Sequence, residues 1–198
     1  MKTYLKFLEP LEKELEKKIK KKGLTITVSG SSGSGKTTGA KALAKFFNLK
    51  YMSAGDIQRG IANEKGISLG EQVKLRGSEV DHEIDKKNLE LAMKGNVVIV
   101  ARLSGWCAGD WADVRIFYDC PLEIRAARVA KRDGISVERA VKNVKERDEE
   151  DNKKYKALYD VDAFDKSIYH FVIDNSKLTK EEAEITPVKL VRKFLEKK

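Results

Sequence analysis

The stretch 28-VSGSSGSGKTTGAKALAKFF-47 decides the architecture. It passes from the end of an apolar run, through a glycine- and serine-rich turn, to Lys-Thr and then to helical spacing. Gly30, Ser31, Ser32, Gly33, Ser34, Gly35, Lys36 and Thr37 fit the phosphate-loop (P-loop) pattern G-x-x-x-x-G-K-[ST], and Thr38 continues the same cradle. The glycines let backbone N–H groups turn inward around a phosphate, and the start of the following helix adds partial positive charge. Lys36 is expected to reach the β- and γ-phosphates, and the Thr37 hydroxyl to bind Mg2+. A flexible Gly/Ser linker has no need of Lys-Thr at that spacing between a strand and a helix. The loop points to a bound nucleotide and leaves open which molecule receives its phosphate.

On either side of the loop, strand-like and helix-like segments alternate. Residues 24–29 (LTITVS), 50–53 (KYMS), 97–100 (VVIV), 114–118 (VRIFY) and 170–174 (HFVID) read as strands, rich in β-branched or continuous apolar residues. Between them, residues 54–65, a segment opened by Ser78 and closed by Gly95, residues 121–132 and a long charged stretch capped by Ser136 read as helices. Ser68, with Glu71 three residues on, marks a further start by the capping-box pattern. Thr186-Pro187 is read as the start of a closing helix, and residues 10–22 as an amphipathic helix with Pro10 in its first turn. Alternation of this kind predicts an α/β protein: one parallel sheet wrapped by helices.

The chain has 198 residues, enough for one domain with a sizeable core. No run approaches the roughly 18–20 apolar residues of a membrane span, and the N-terminus lacks an apolar signal region. Cys107 and Cys120 show neither metal nor disulfide spacing, so reduced thiols in a cytoplasmic protein are expected. Eight lysines and four glutamates within residues 1–22 account for +4 of the formal +9 charge. That segment is expected to pack on its own domain, with partner docking, dimerisation or an RNA contact as alternatives. Trp106 and Trp111 are read as packing residues, with base stacking as the alternative.

A kinase that joins two phosphates needs no general base, because the attacking oxygen is already anionic. It needs cations placed where the strands end. Arg59 follows the second strand and Arg102 the third. Arg128 and Arg132 are one helical turn apart. Arg147, Asp151 and Lys154 share a face of the long charged helix.

These residues carry a family resemblance. The segments VSGSSGSGKTT, SAGDIQR (53–59), GNVVIVARLSGW (95–106), RIFYDCPLEIRAARVAKRDG (115–134), RDEEDNKKY (147–155) and YHFVIDNS (169–176) resemble the archaeal-type cytidylate kinases, nucleoside monophosphate kinases of the P-loop NTPase fold. The resemblance spans about residues 24–176. It implies a three-layer fold with a five-stranded parallel sheet, a helical monophosphate-binding segment around 55–94 and a lid around 133–157, with residues 1–23 as an extension. It implies ATP-dependent phosphorylation of CMP or dCMP with Mg2+, by a monomer or dimer. Ser53, Gly55 and Arg59 would face the acceptor, Arg102 would clamp its phosphate, and Asp81 and Asp85 would read its base. Arg128 would lie against the ATP base and Arg132 near the ATP phosphates. Arg147, Asp151 and Lys154 would sit on the lid and act there with Lys36, closing the site to water.

Four positions depart from the family pattern. Val100 and Ala101 stand where an acidic residue and a glycine are usual, Lys154 replaces a second lid arginine, and Asn88 replaces a glutamine. They keep other readings open: a kinase for a different nucleotide or small metabolite, or a nucleotide-gated, RNA- or ribosome-associated ATPase.

Overall fold

The computed structural model describes residues 1–66 and 78–197. Its sheet contains β1 (Thr25–Gly30), β2 (Lys50–Ser53), β3 (Val97–Val100), β4 (Val114–Asp119) and β5 (Phe171–Asp174) in the order β2-β3-β1-β4-β5. Every neighbouring pair is parallel. All six residues of the central strand β1 are buried, as a strand covered on both faces requires. Its last residue, Gly30, pairs with Tyr118, and Ser53 at the end of β2 pairs with Val100. The C-terminal strand ends therefore open along one edge, beside the phosphate loop.

Side-chain alternation sends β3 to both faces. Val97 and Ile99 join Leu89, Met93, Leu103 and Trp111 in one core, beneath α4 (Ser78–Lys94) and the short α5 (Ser104–Ala108). Val98 and Val100 join Ile26, Val28, Ile116 and Tyr118 in the other, beneath α2 (Lys36–Phe46) and α8 (Lys180–Leu195). These are the expected three layers. A smaller apolar cluster of Ala126, Val129, Ala140 and Val144 joins α6 (Leu122–Asp133) to the long α7 (Val137–Tyr159). The remaining helix, α3 (Ala54–Glu64), follows β2 directly. Among the described residues no helix is long and apolar enough to cross a membrane.

The N-terminal segment is part of the first core: Leu5 and Leu8 are fully buried there. A single 3-10 turn, Lys6–Leu8, leads into α1 (Glu9–Glu16). The expected helix over 10–22 is thus six residues shorter at its end. Beyond Glu16 the lysines of 17–22 repel one another, and the Lys22 amide bonds the Lys94 carbonyl instead of continuing the helix (3.0 Å). The closing helix starts earlier than Thr186-Pro187. Thr179 and Glu182 form a reciprocal capping box, and Pro187 lies inside the helix. The start marked by Ser68 and Glu71 lies outside the described residues. Trp111 packs in the core with its indole N–H on Glu12, and Trp106 meets Tyr4 edge-on, so both tryptophans are packing residues.

Pro187 has a packing role. Gly39 on α2 faces it and the buried Tyr118. A Cβ at Gly39 would stand 1.7 Å from the Tyr118 hydroxyl and 3.2 Å from the Pro187 ring. This contact seats α2, and with it the phosphate loop, against α8. Gly39→Ala is expected to destabilise the protein by about 1–3 kcal/mol, although alanine is the better helix former by about 1 kcal/mol. Tyr118→Phe should recover part of that loss in denaturant titrations, since it removes the nearest atom.

Candidate active site

The loop joins β1 to α2 at the open edge of the sheet. Gly33 has a φ of +76°, and a Cβ there would lie 2.7 Å from the Arg125 carbonyl oxygen, so only glycine fits. Gly30 and Gly35 also have positive φ. Ser31 and Ser34 are buried, while Thr37 is exposed in the first turn of α2. Lys36 donates to the Ser31 carbonyl at 2.8 Å. Burial, then the nearby guanidiniums of Arg102 and Arg147, push its ammonium down to about 7, against an opposing pull from Asp148.

The buried Arg125 and the part-buried Arg102 meet above the loop. Arg125 donates to the Cys120 carbonyl (2.9 Å) and to Asp148 (2.7 Å), with a longer contact to the Ser32 carbonyl (3.4 Å). Arg102 reaches the other oxygen of Asp148 at 3.0 Å and Asp151 at 2.6 Å. Its remaining terminal nitrogen, Nη2, is buried without a hydrogen-bond partner, a condition that an anion in the site would relieve. Arg128 lies behind the loop. It bonds both the side chain and the carbonyl of Asn175 (3.0 and 2.9 Å) and reaches the Gly33 carbonyl. Arg147 is mostly exposed on α7, 3.8 Å from Asp151.

A cleft of about 880 Å³ runs from this cation cluster between α3, α4 and α7. Ala54, Gln58, Arg147, Asp151 and Lys154 line it, and Asp81 and Asp85 lie on its α4 wall. Lys154 bridges to Asp81 at 3.0 Å and to Asp151 at 3.7 Å. Asp85 is buried and receives hydrogen bonds from the Tyr159 hydroxyl (2.7 Å) and the Cys107 thiol (3.3 Å). Burial raises its pKa to about 6 despite those two bonds, and Asp81 adds repulsion. Asn88, one turn further along α4, is fully buried beside it.

The sequence-predicted residues therefore divide. Arg102, Arg147, Asp81, Asp85, Asp151 and Lys154 line one cleft, whereas the loop residues stand beside its Arg102 end and Arg128 lies behind the loop. Arg132 joins none of these: at the exposed end of α6 it pairs with its neighbour Asp133 (2.6 Å). Ser53 is spent as the N-cap of α3, locked with Asp56 in a capping box. Arg59 pairs with Asp56 at 2.6 Å beside Gly55, just outside the residues that line the cleft. Sequence reasoning missed Arg125 and Asp148, which tie the cluster together. Arg125 stands one turn before Arg128, and Asp148 one turn before Asp151, so helical spacing was the available signal. Val100 is buried among apolar side chains. Among the described residues no cluster of three His, Cys, Asp or Glu could hold a metal ion.

A phosphate loop at the strand ends, a ring of cations and a deep neighbouring cleft define a P-loop phosphotransferase. The chain matches a family described as the cytidylate kinase-like family over residues 74–177. It is 47% identical over 160 residues to a cytidylate kinase of Pyrococcus horikoshii, covering 80% of this chain and 83% of that one. It is 42% identical over 159 residues to that of Methanocaldococcus jannaschii, covering 78% and 89%. The chain belongs to the cytidylate kinase family. Its fold is similar to that of a shikimate kinase from Bacteroides thetaiotaomicron, with a TM-score of 0.61 at 18% identity over 87% of this chain and 98% of that one.

Two outcomes are expected. Lys36 loses its proton near pH 7 but would keep it between phosphates, so ATP binding above pH 7 takes up a proton and its affinity falls as pH rises. Titration calorimetry in buffers of different ionisation enthalpy reads that uptake. Asp148→Asn strips a carboxylate from the buried Arg125 and the part-buried Arg102 and should cost roughly 3 kcal/mol in urea unfolding. It should also lower the Lys36 pKa further.

Proposed function

We propose that this protein transfers the γ-phosphoryl group of ATP to CMP or dCMP. The observation that carries the reading is the polarity of the cleft. Arg102 and Arg147 line the end of it nearest Lys36 and Arg125, and the buried Nη2 of Arg102 lacks a partner there. Its far end carries the carboxylates Asp81 and Asp85. A nucleoside monophosphate has the matching polarity, with a dianionic phosphate at one end and a base at the other. Cytosine presents an exocyclic amine that donates to a carboxylate. Uracil presents a carbonyl at the same position, which an ionised carboxylate repels.

In this reading the loop amides and Lys36 hold the ATP phosphates, and Arg128 with Asn175 supports the adenosine side. Arg102 takes the acceptor phosphate on its unpaired Nη2, which keeps an acceptor oxygen in line with the γ-phosphorus. That oxygen forms the new P–O bond as the bond to the β–γ bridging oxygen breaks, and ADP leaves with the electron pair. No proton must be removed from the acceptor. α7 forms the lid, and it brings Arg147 and Lys154 toward the charge that builds on the transferred group. Lysine supplies charge there without the planar fork of arginine.

Mg2+ would be held by the Thr37 hydroxyl and by the oxygens of the nucleotide and water. Hard oxygen donors of this kind fit Mg2+, which commonly keeps several waters and draws most of its other ligands from the substrate. When bound, it neutralises charge on the β- and γ-phosphates. Val100 contributes no oxygen, so Thr37 carries more of this task than it would beside a carboxylate.

Purified protein with Mg·ATP should form ADP and a nucleoside diphosphate with CMP and dCMP, and more slowly with UMP, AMP or GMP. Lys36→Ala should lower kcat by about a hundredfold or more. Asp85→Asn should cut the preference for CMP over UMP by about tenfold. ATP binding without transfer to any of the five acceptors would defeat the reading.

A further inference from the structure

The carboxylate assigned to the base is not aimed by its own helix alone. Beside Asn88 on the same helix, two of its hydrogen-bond donors come from elsewhere: Tyr159 at the end of α7 and Cys107 on α5. Each is in turn braced by the N-terminal segment. Phe7 lies face to face with Tyr159, with ring centroids 4.7 Å apart and planes 7° from parallel, and it also packs on His82 of α4 at 4.8 Å. The Thr3 hydroxyl donates to the Cys107 carbonyl at 2.8 Å. The segment is itself anchored. The Thr3 amide and the Trp111 indole both donate to the buried Glu12, while Leu5 and Leu8 fill the core. Two separate routes thus run from residues 3–8 to the two oxygens of Asp85.

We propose that residues 3–8 are a positioning element for base selection, bracing Tyr159 and Cys107 so that the Asp85 carboxylate is held toward the acceptor base. This rests on the assignment of Asp85 to the base. A segment that only closed the core would affect all substrates alike. A segment that aims Asp85 affects the acceptor, and among acceptors it affects CMP most. Discrimination depends on where a buried acceptor atom points, and a tilted carboxylate loses the amine of cytosine while tolerating uracil better.

Two variants of the full chain separate these cases. Phe7→Leu keeps apolar volume and removes the stack. Thr3→Val keeps shape and removes the hydroxyl. Each is expected to raise KM for CMP roughly threefold to tenfold, the range of a lost aromatic pair or hydrogen bond. The preference for CMP over UMP should fall by a similar factor, with KM for ATP unchanged. Phe7→Tyr should restore the wild-type values. Asp85→Asn is measured alongside. If it abolishes base preference while Phe7→Leu and Thr3→Val preserve it, the inference is wrong and the assignment of Asp85 stands. If Asp85→Asn leaves base preference intact, the assignment is wrong and the inference falls with it. Equal losses with CMP and UMP, or a KM for ATP that moves in step, would also overturn the inference. Should Phe7→Leu fail to fold, Thr3→Val decides through the second route.

Discussion

Asp148 bridges Arg102 and Arg125 at 3.0 and 2.7 Å, and the site depends on that bridge. A phosphoryl-transfer site must gather several cations in one place before any phosphate arrives. Such charges repel strongly where water is scarce. A buried carboxylate held by both guanidiniums keeps them together, and removing one partner would strand the others. The compensation is partial. Burial, with repulsion from Arg102 and Arg147 added to it, still pushes the Lys36 ammonium down to about 7. The cluster is therefore stable without substrate and still short of negative charge, which is the condition for tight binding of two anions.

The same bridge has an architectural effect. Asp148 and Asp151 lie on α7, whereas Arg102 follows β3 and Arg125 lies on α6. Their ion pairs hold the long helix across the strand ends, and the Lys154–Asp81 pair fastens its C-terminal half to α4. The cleft between them carries Arg102 and Arg147 toward the loop and Asp81 and Asp85 on α4. The fold is shared with kinases that resemble this chain in structure at only 18% identity, such as the shikimate kinase.

Much of this was legible in the sequence. All five strands were placed within a residue or so, because each is a short apolar or β-branched run. The loop declared itself through Lys36-Thr37 after three spaced glycines. Errors arose where two local signals competed. Pro187 looked like a helix start, but Thr179 and Glu182 had already capped that helix and tertiary packing against Gly39 accepted the proline. The amphipathic pattern of residues 10–22 suggested a longer α1, but a run of lysines and a backbone bond to Lys94 ended it. Arg132 shared a helical face with Arg128, yet it sits at the exposed end of α6 and pairs with Asp133. Spacing along one helix does not show how far that helix extends past the loop. The donors to Asp85 from other helices lay beyond sequence reading altogether, since Cys107 and Tyr159 stand 22 and 74 residues away.

The most direct test of the central claim is a crystal structure of the complex with a compound that joins adenosine to cytidine through five phosphates. The account predicts adenosine beside Arg128 and Asn175, phosphate oxygens on Lys36 and on Nη2 of Arg102, and the cytosine amine on Asp85. A cytidine half outside the cleft, or an Arg102 still bound only to Asp148 and Asp151 with the phosphates elsewhere, would contradict it.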